Sequence, residues 1–175
     1  MELIGPAPGF YLGINDCGRT PPDELEPIVE AIFDVLHDLY VKFGARNFVL
    51  IDIPPIDRSP GGKGNPKCSS LIEPDLMYPA VESGSTEDIK ERIETWNELL
   101  RSHAKGFAKG SEKATTFVFS SHQVLVEVLD EPLDFDFAGD DPETEGAGIW
   151  KDDLHLTPAV HAIFAKRLLD SLIRP

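Results

Sequence analysis

Residues 47–53 read Asn-Phe-Val-Leu-Ile-Asp-Ile, and Pro54 and Pro55 follow them directly. The run is apolar and β-branched for the length of one strand, which favours extended backbone. A proline pair ends such a run, because proline fixes φ and also restricts the residue before it. The pattern therefore predicts a buried strand that ends at Ile53.

Two further strands lie on either side of this one along the chain. Residues 9–14 form a short apolar run that ends in a turn-forming cluster at residues 15–18, and residues 115–119 form another apolar run. Helical spacing of apolar residues predicts helices at residues 20–44, 85–107, 120–129 and 157–172. Strands that alternate with helices predict the class α/β, with a parallel sheet covered on both faces.

Each predicted helix has an apolar stripe that should face the core, and Trp96 belongs to one of them. In the first helix the stripe is Ile28, Ile32, Val35, Leu36, Leu39 and Phe43. In the second it is Ile89, Ile93, Trp96, Leu100 and Phe107, after a cap at residues 85–88. The last two helices carry Val124, Leu125, Val128 and Leu129, and then Val160, Phe164, Leu168 and Leu172.

The composition is that of one globular domain over residues 1–175, since 41% of the residues are hydrophobic and 27% are charged. The formal net charge of -15 argues against nucleic acids and anionic membrane surfaces as partners, and favours a neutral or cationic small molecule. The sequence has no apolar run long enough for a membrane span and no signal peptide pattern at Met1.

Cysteines and acidic residues give two weaker signals. Cys17 and Cys68 do not form a Cys-x-x-Cys pair, so two free thiols are the preferred interpretation, and a disulfide between them stays open. Residues 130–145 contain eight acidic residues and no basic one. Their spacing does not match an EF-hand loop, so a solvated loop is predicted in preference to a calcium site.

Two polar motifs are placed where they could take part in chemistry. Asn15 follows the strand at residues 9–14, and ligands of parallel sheets bind beyond the carboxyl ends of the strands. Asp152 precedes His155 by three residues, so its carboxylate can reach Nδ1 and leave Nε2 as a base. Alone, each motif is more often structural: an Asn after a strand is usually a turn residue, and an Asp-x-x-His pair a surface pair or cap.

Together the motifs resemble the SGNH (GDSL) hydrolase superfamily. Residues 10–16, Phe-Tyr-Leu-Gly-Ile-Asn-Asp, are similar to its third block, Gly-x-Asn-Asp, and residues 149–157 are similar to its fifth block, Asp-x-x-His. Residues 52–60, Asp-Ile-Pro-Pro-Ile-Asp-Arg-Ser-Pro, and residues 96–100, Trp-Asn-Glu-Leu-Leu, resemble segments of its fungal carbohydrate acetylesterase branch. The resemblance extends from Gly9 to about Leu172.

The resemblance implies a three-layer, flavodoxin-like α/β/α fold and hydrolysis of carboxylic esters, with carbohydrate acetyl esters as the substrate class. It implies that His155 is the general base, that Asp152 orients it and that the Asn15 amide donates to the oxyanion. It also implies that no metal and no organic cofactor takes part. Asp153 is the competing carboxylate, although its spacing from His155 is less favourable.

The first block of the family, Gly-Asp-Ser, does not occur in this sequence, and neither does the second block. The resemblance therefore implies a chain that is truncated at its N-terminus, lacks the first two strands of the family and is inactive by itself. The strand at residues 9–14 would then form an edge through which the chain self-associates. Localisation is undetermined from the sequence, and a truncated N-terminus would be compatible with an extracellular protein.

Five serines are candidates, by residue type alone, to replace the missing nucleophile. None follows a nucleophile elbow, so loop or helix-cap roles are predicted for Ser59, Ser69, Ser70, Ser120 and Ser121. Two alternatives to the esterase stay open at this point. One is a non-catalytic remnant that binds a carbohydrate or a protein partner, and the other is an unrelated α/β binding protein.

Overall fold

A computed structural model describes residues 7–62 and 86–173 of the chain. The described part contains a parallel sheet of β1 (Gly9–Tyr11), β2 (Asn47–Ile51) and β3 (Thr115–Phe119), in the order β1-β2-β3. The central strand β2 contributes hydrogen bonds on both sides, as expected for the most apolar of the three runs. The predicted parallel α/β class is confirmed.

The α-helices in the described part of the chain are α1 (Ile14–Cys17), α2 (Glu26–Lys42), α3 (Thr86–Gly110), α4 (Ser121–Asp130) and α5 (Pro158–Ile173). Four of them lie where the apolar spacing predicted them, whereas the short helix α1 was predicted as the end of a strand and a turn. Short 3-10 helices occur at Pro22–Glu24, Ile56–Arg58, Pro132–Phe135 and Asp141–Glu143. No helix in the described part of the chain is both long and apolar enough to cross a membrane. The predicted cap of α3 at Ser85 falls outside the described residues.

Both faces of the sheet are covered by helices. Phe48 and Leu50 of β2 are fully buried in a cluster with α2 and α3, whereas Phe117 and Phe119 of β3 belong to a second cluster with α4 and α5. Alternate residues of a strand point to opposite faces, so a single sheet can support two separate cores. The arrangement is a three-layer α/β/α sandwich, with β2 in its centre.

The first strand is shorter than the sequence predicted. It ends at Tyr11 instead of Ile14, because Gly13 adopts φ 110° and starts the helical turn α1. Only glycine adopts this φ without strain, and a Cβ at this position would also lie 2.3 Å from the indole of Trp96. Asn15 is therefore part of a helical turn and not of an irregular loop.

The second strand also ends earlier than predicted, and a side chain completes its hydrogen bonding. The backbone N–H of Ile53 donates to Oδ1 of Asn97 at 2.8 Å, and Nδ2 of Asn97 donates to the carbonyl of Ile53 at 2.9 Å. Asn97 is only 3% exposed and lies on α3. It satisfies two buried backbone groups that a neighbouring strand would otherwise have to satisfy.

The predicted inward face of α2 was partly wrong. The buried residues of this helix are Val29, Phe33 and Leu36, while Val35 and Phe43 are 53% and 77% exposed. The apolar residues of α2 cover more than half of its circumference, so their spacing alone could not select the stripe that meets α3. The predicted stripes of α3 and α4 are confirmed, and Trp96 is 1% exposed.

Candidate active site

Asp152 and His155 form a close pair in the loop before α5. Both carboxylate oxygens of Asp152 lie 2.9 Å from Nδ1 of His155. The backbone N–H groups of Leu154 and His155 also donate to Oδ1 of Asp152, at 3.0 and 2.7 Å. The pair therefore has the local geometry that the three-residue spacing predicted, with one turn of backbone wrapped around the carboxylate.

The environment of Asp152 keeps its carboxylate ionised. Slight burial raises its pKa, but hydrogen bonds from the backbone of His155 and Leu154 and from the imidazole outweigh burial, so the pKa lies below its ordinary value. A carboxylate at Nδ1 favours the tautomer that carries its proton there and leaves Nε2 as an acceptor. The His155 side chain is 73% exposed, so Nε2 is accessible to a reacting group.

The loop that carries the pair is fixed at both ends. The N–H of Lys151 donates to the carbonyl of His155 at 2.7 Å, and the N–H of Thr157 donates to the carbonyl of Ile149 at 2.9 Å. Ile149 and Trp150 are fully buried, which anchors the start of the loop in the core with α4 and α5. An exposed imidazole is thus attached to a loop that is itself packed.

Asn15 lies in α1, directly beyond the carboxyl end of β1, and its side chain is exposed. The turn is closed by a hydrogen bond from the N–H of Cys17 to the carbonyl of Gly13 at 2.9 Å. Among the contacts of the described residues, none joins Asn15 to Asp152 or His155. The convergence of the three residues on one substrate remains a prediction.

A buried carboxylate, Asp52, follows directly after β2, and the sequence did not predict its hydrogen-bond network. Asp52 is fully buried and accepts from Nη2 of Arg101 at 2.9 Å, from Oγ of Ser120 at 2.8 Å and from the backbone N–H of His122 at 2.9 Å. The Ser121 hydroxyl donates to the carbonyl of Asp52. Asp52 thereby links β2 to α3 on one face of the sheet and to α4 on the other.

Of the serine candidates in the described part of the chain, Ser59 and Ser120 have the predicted loop and helix-cap roles, whereas Ser121 is the first residue of α4. Ser120 is the N-cap of α4, and its Oγ accepts from the N–H of Gln123 at 3.1 Å. Ser121 is fully buried against Asp52, and Ser59 is fully buried and accepts from the N–H of Gly62 at 2.9 Å. Ser69 and Ser70 fall outside the described residues.

Burial shifts the pKa of several groups close to Asp52. It raises the pKa of Tyr11 to about 12, although a hydrogen bond with Ser121 opposes the shift. It raises the pKa of Asp57 above its ordinary value, against the positive charge of the neighbouring Arg58. It lowers the pKa of His122, even though Asp52 and Asp57 favour the imidazolium. The imidazole of His122 is therefore harder to protonate in the folded protein than in the unfolded chain.

This depressed pKa predicts a loss of stability in acid. The unfolded chain takes up the His122 proton near pH 6.5, whereas the folded chain takes it up only at a lower pH. The contribution is thus fully present above about pH 6.5 and is lost as the pH falls towards the folded pKa. Urea unfolding at several pH values between 7.5 and 5 should show a steeper decline of the unfolding free energy in wild type than in His122→Gln. Equal slopes would contradict the prediction.

Cys17 is a buried thiol whose Sγ donates to the carbonyl of Arg92 at 3.6 Å. Burial, with a smaller contribution from Asp16, raises its pKa to about 12, so it is a poor nucleophile near neutral pH. Cys68 falls outside the described residues, and the question of a disulfide stays open.

The acidic side chains at residues 130–145 are exposed, with one exception. Asp141 is 9% exposed, and its Oδ2 accepts from the N–H of Ala138 at 2.9 Å. Phe137 from the same tract is also 9% exposed and packs in the core with α4 and α5. The predicted solvated loop is thus correct for the other acidic side chains and wrong for Asp141.

One group of described residues has ligand atoms close enough to share a metal ion. One carboxylate oxygen each of Glu26 and Glu30 and one ring nitrogen of His103 lie within 4.8 Å of one another. Glu26 and Glu30 are exposed residues of α2. A cavity of about 360 Å³ lies between α2 and α3, and His103 is one of the residues that line it. This group shares no residue with the Asp152–His155 pair, so it has no part in the site described above.

The parallel sheet with helices on both of its faces defines the class of this protein as α/β. The family model described as "GDSL-like Lipase/Acylhydrolase" matches residues 10–168, and the chain belongs to this family. The resemblance to SGNH (GDSL) hydrolases that the motifs predicted is confirmed.

A relative from the fungus Thermothelomyces thermophilus has the name "Acetylesterase". It is 27% identical to this chain over 171 residues, which cover 93% of this chain and 51% of the relative. The chain therefore spans about half the length of the curated relative that it matches. The predicted likeness to fungal acetylesterases is confirmed.

Proposed function

We propose that this chain forms part of a carboxylic ester hydrolase that removes acetyl groups from small-molecule or carbohydrate esters. The observation that carries the proposal is the contact of both Asp152 oxygens with Nδ1 of His155, which leaves Nε2 as a free base. Membership of an ester-hydrolase family and a relative named as an acetylesterase support the same chemistry.

The proposed reaction is acyl transfer through a serine. Nε2 of His155 takes the proton of the serine hydroxyl as the oxygen attacks the ester carbonyl, and the Asp152 carboxylate stabilises the imidazolium. The side-chain amide of Asn15 donates to the oxyanion, a contribution worth on the order of 100- to 1000-fold in rate. His155 then returns the proton to the leaving alcohol, and water hydrolyses the acyl-enzyme by the same route in reverse.

The serine itself is assigned outside these 175 residues. No Gly-Asp-Ser block occurs in the sequence, and the described candidates Ser59, Ser120 and Ser121 already hold structural hydrogen bonds. Self-association and the exclusion of nucleic acid stay predictions, as does the absence of a cofactor.

The proposal is tested with the longest product of the transcript that contains these 175 residues. We expect it to hydrolyse 4-nitrophenyl acetate above the rate in buffer, and a serine-directed fluorophosphonate to label it and stop turnover. The transcript should carry a Gly-Asp-Ser block in frame. A product with no such block, no labelling and no turnover would overturn the esterase and leave a non-catalytic relative that binds a carbohydrate or a protein.

A further inference from the structure

The loop after β2 contacts the loop that carries the Asp152–His155 pair. The backbone N–H of Gly61 donates to the carbonyl of Asp153 at 2.7 Å. Asp153 lies between Asp152 and His155 in the sequence, so this hydrogen bond reaches the middle of the turn that the pair forms. It joins two segments that are far apart along the chain.

Position 61 requires glycine because Asp153 lies so close to it, and not because of the backbone conformation at Gly61. A Cβ on Gly61 would lie 2.9 Å from the carbonyl oxygen of Asp153 and 3.2 Å from its Cβ, so the two loops could not keep their present separation. The φ of Gly61 is outside the positive range, so alanine would bring no backbone strain of its own. The effect of an added methyl group is therefore confined to this contact.

The Gly61 side of the contact is anchored in the core. The N–H of Gly62 donates to the fully buried Oγ of Ser59, and the N–H of Ser59 donates to the carbonyl of Ile56 at 3.1 Å. Earlier in the same loop, Ile53 is fixed by Asn97. A hydrogen bond from Gly61 thus ties the turn of the pair to the end of the central strand.

The orientation of the His155 ring depends on the position of the turn that carries it. This ring is 73% exposed and is oriented by Asp152 and not by packing. Leu154 is partly buried and packs on the core, which holds the other side of the turn. A displacement of Asp153 would therefore be transmitted directly to the Asp152–His155 geometry.

We propose that Gly61 is a positioning residue for the pair, and that its N–H and its missing side chain set the orientation of His155. The inference rests on the proposed function, since it assumes that the orientation of this imidazole matters for catalysis. Gly61 itself touches no substrate in this scheme. Its effect on the reaction passes through Asp153 to Asp152 and His155.

The test compares Gly61→Ala with Gly139→Ala. Gly139 is a matched control, since it also lies in a loop, and a Cβ there would meet nothing within 4 Å. We expect Gly61→Ala to lower kcat for aryl acetate hydrolysis by about 10- to 100-fold, as small misplacements of catalytic groups do, with KM changed much less. Gly139→Ala should leave both constants unchanged.

A second measurement reads the imidazole directly and needs no turnover. In the 15N-labelled chain, the ring nitrogen shifts of His155 report its tautomer. Wild type should show the Nδ1–H form that the Asp152 carboxylate favours, and Gly61→Ala should shift the population towards Nε2–H. Ser59→Ala adds no atoms and removes the acceptor of the Gly62 N–H, so it should give a smaller change in the same direction and covers the case in which Gly61→Ala does not fold.

The outcomes separate this inference from the proposed function. Unchanged His155 ring shifts in both variants would overturn the positioning role, whatever the activity. A fall in kcat and in melting temperature without a change in those shifts would also overturn it, because a merely structural role would have that result. Altered ring shifts would support the positioning role, and a lack of turnover in the longest product of the transcript would at the same time reject the esterase.

Discussion

His155→Ala should lower kcat for 4-nitrophenyl acetate by about 100- to 10,000-fold, the range that a positioned general base contributes. The reason is that the serine hydroxyl then has no acceptor for its proton, while the rest of the site is unchanged. The measurement is steady-state hydrolysis by the same product of the transcript in which wild-type turnover is established. A residual activity within threefold of wild type would contradict the assignment of His155 as the base.

Two controls make this result specific. An exposed imidazole can itself react with aryl acetates, so His37→Ala, which removes an exposed histidine from α2, should leave kcat unchanged. Asp152→Asn should approach the effect of His155→Ala, because the amide no longer selects the tautomer with the proton on Nδ1. Asp153→Asn should change kcat little, because both carboxylate oxygens at Nδ1 belong to Asp152.

The largest effect on stability should come from Asp52→Ala. The substitution removes the acceptor for Arg101, Ser120 and the N–H of His122 at a fully buried position. The N–H of His122 and the Ser120 hydroxyl lose a buried acceptor, whereas the half-exposed Arg101 can still be hydrated, so the expected loss of unfolding free energy is about 2 to 3 kcal/mol. Urea unfolding followed by the fluorescence of the buried Trp96 and Trp150 measures it.

The matched controls vary charge and shape separately. Asp52→Asn keeps the shape but replaces one acceptor oxygen by a donor, so its loss should lie between zero and that of Asp52→Ala. Asp134→Ala removes an exposed carboxylate from Pro132–Phe135 and should change the unfolding free energy by less than about 0.5 kcal/mol. A loss below about 1 kcal/mol for Asp52→Ala would show that the network does not hold the three layers together.

Features that depend on neighbours in the sequence were predicted well. Thr115–Phe119 was predicted with both of its ends correct, because Ser120 stops the strand and caps α4 within the next residues. The contact between Asp152 and His155 follows from a separation of three residues, which fits into one turn of backbone. In each case the interacting residues are so close in the sequence that local backbone geometry determines the contact.

Features that depend on distant partners were missed or placed wrongly. The partners of Asp52 are 49, 68 and 70 residues away, and Asn97 is 44 residues from Ile53. Val35 of α2 and Phe43 directly after it were predicted to face the core, although their exposure depends on which side of α2 meets α3. Periodicity shows that a helix has an apolar face, but packing selects the part of that face that is buried.

The sequence by itself determined the α/β class, the positions of the helices, the Asp152–His155 pair and membership of an ester-hydrolase family. The tertiary structure alone decided that Asp52 joins three layers, that Asn97 completes β2 and that Gly61 contacts the turn of the pair. The features of the first group depend on residues that are close together in the sequence, so local spacing and short motifs are enough to predict them. The second group exists only when helices on both faces close over the sheet, since only that packing brings distant polar groups within hydrogen-bonding distance.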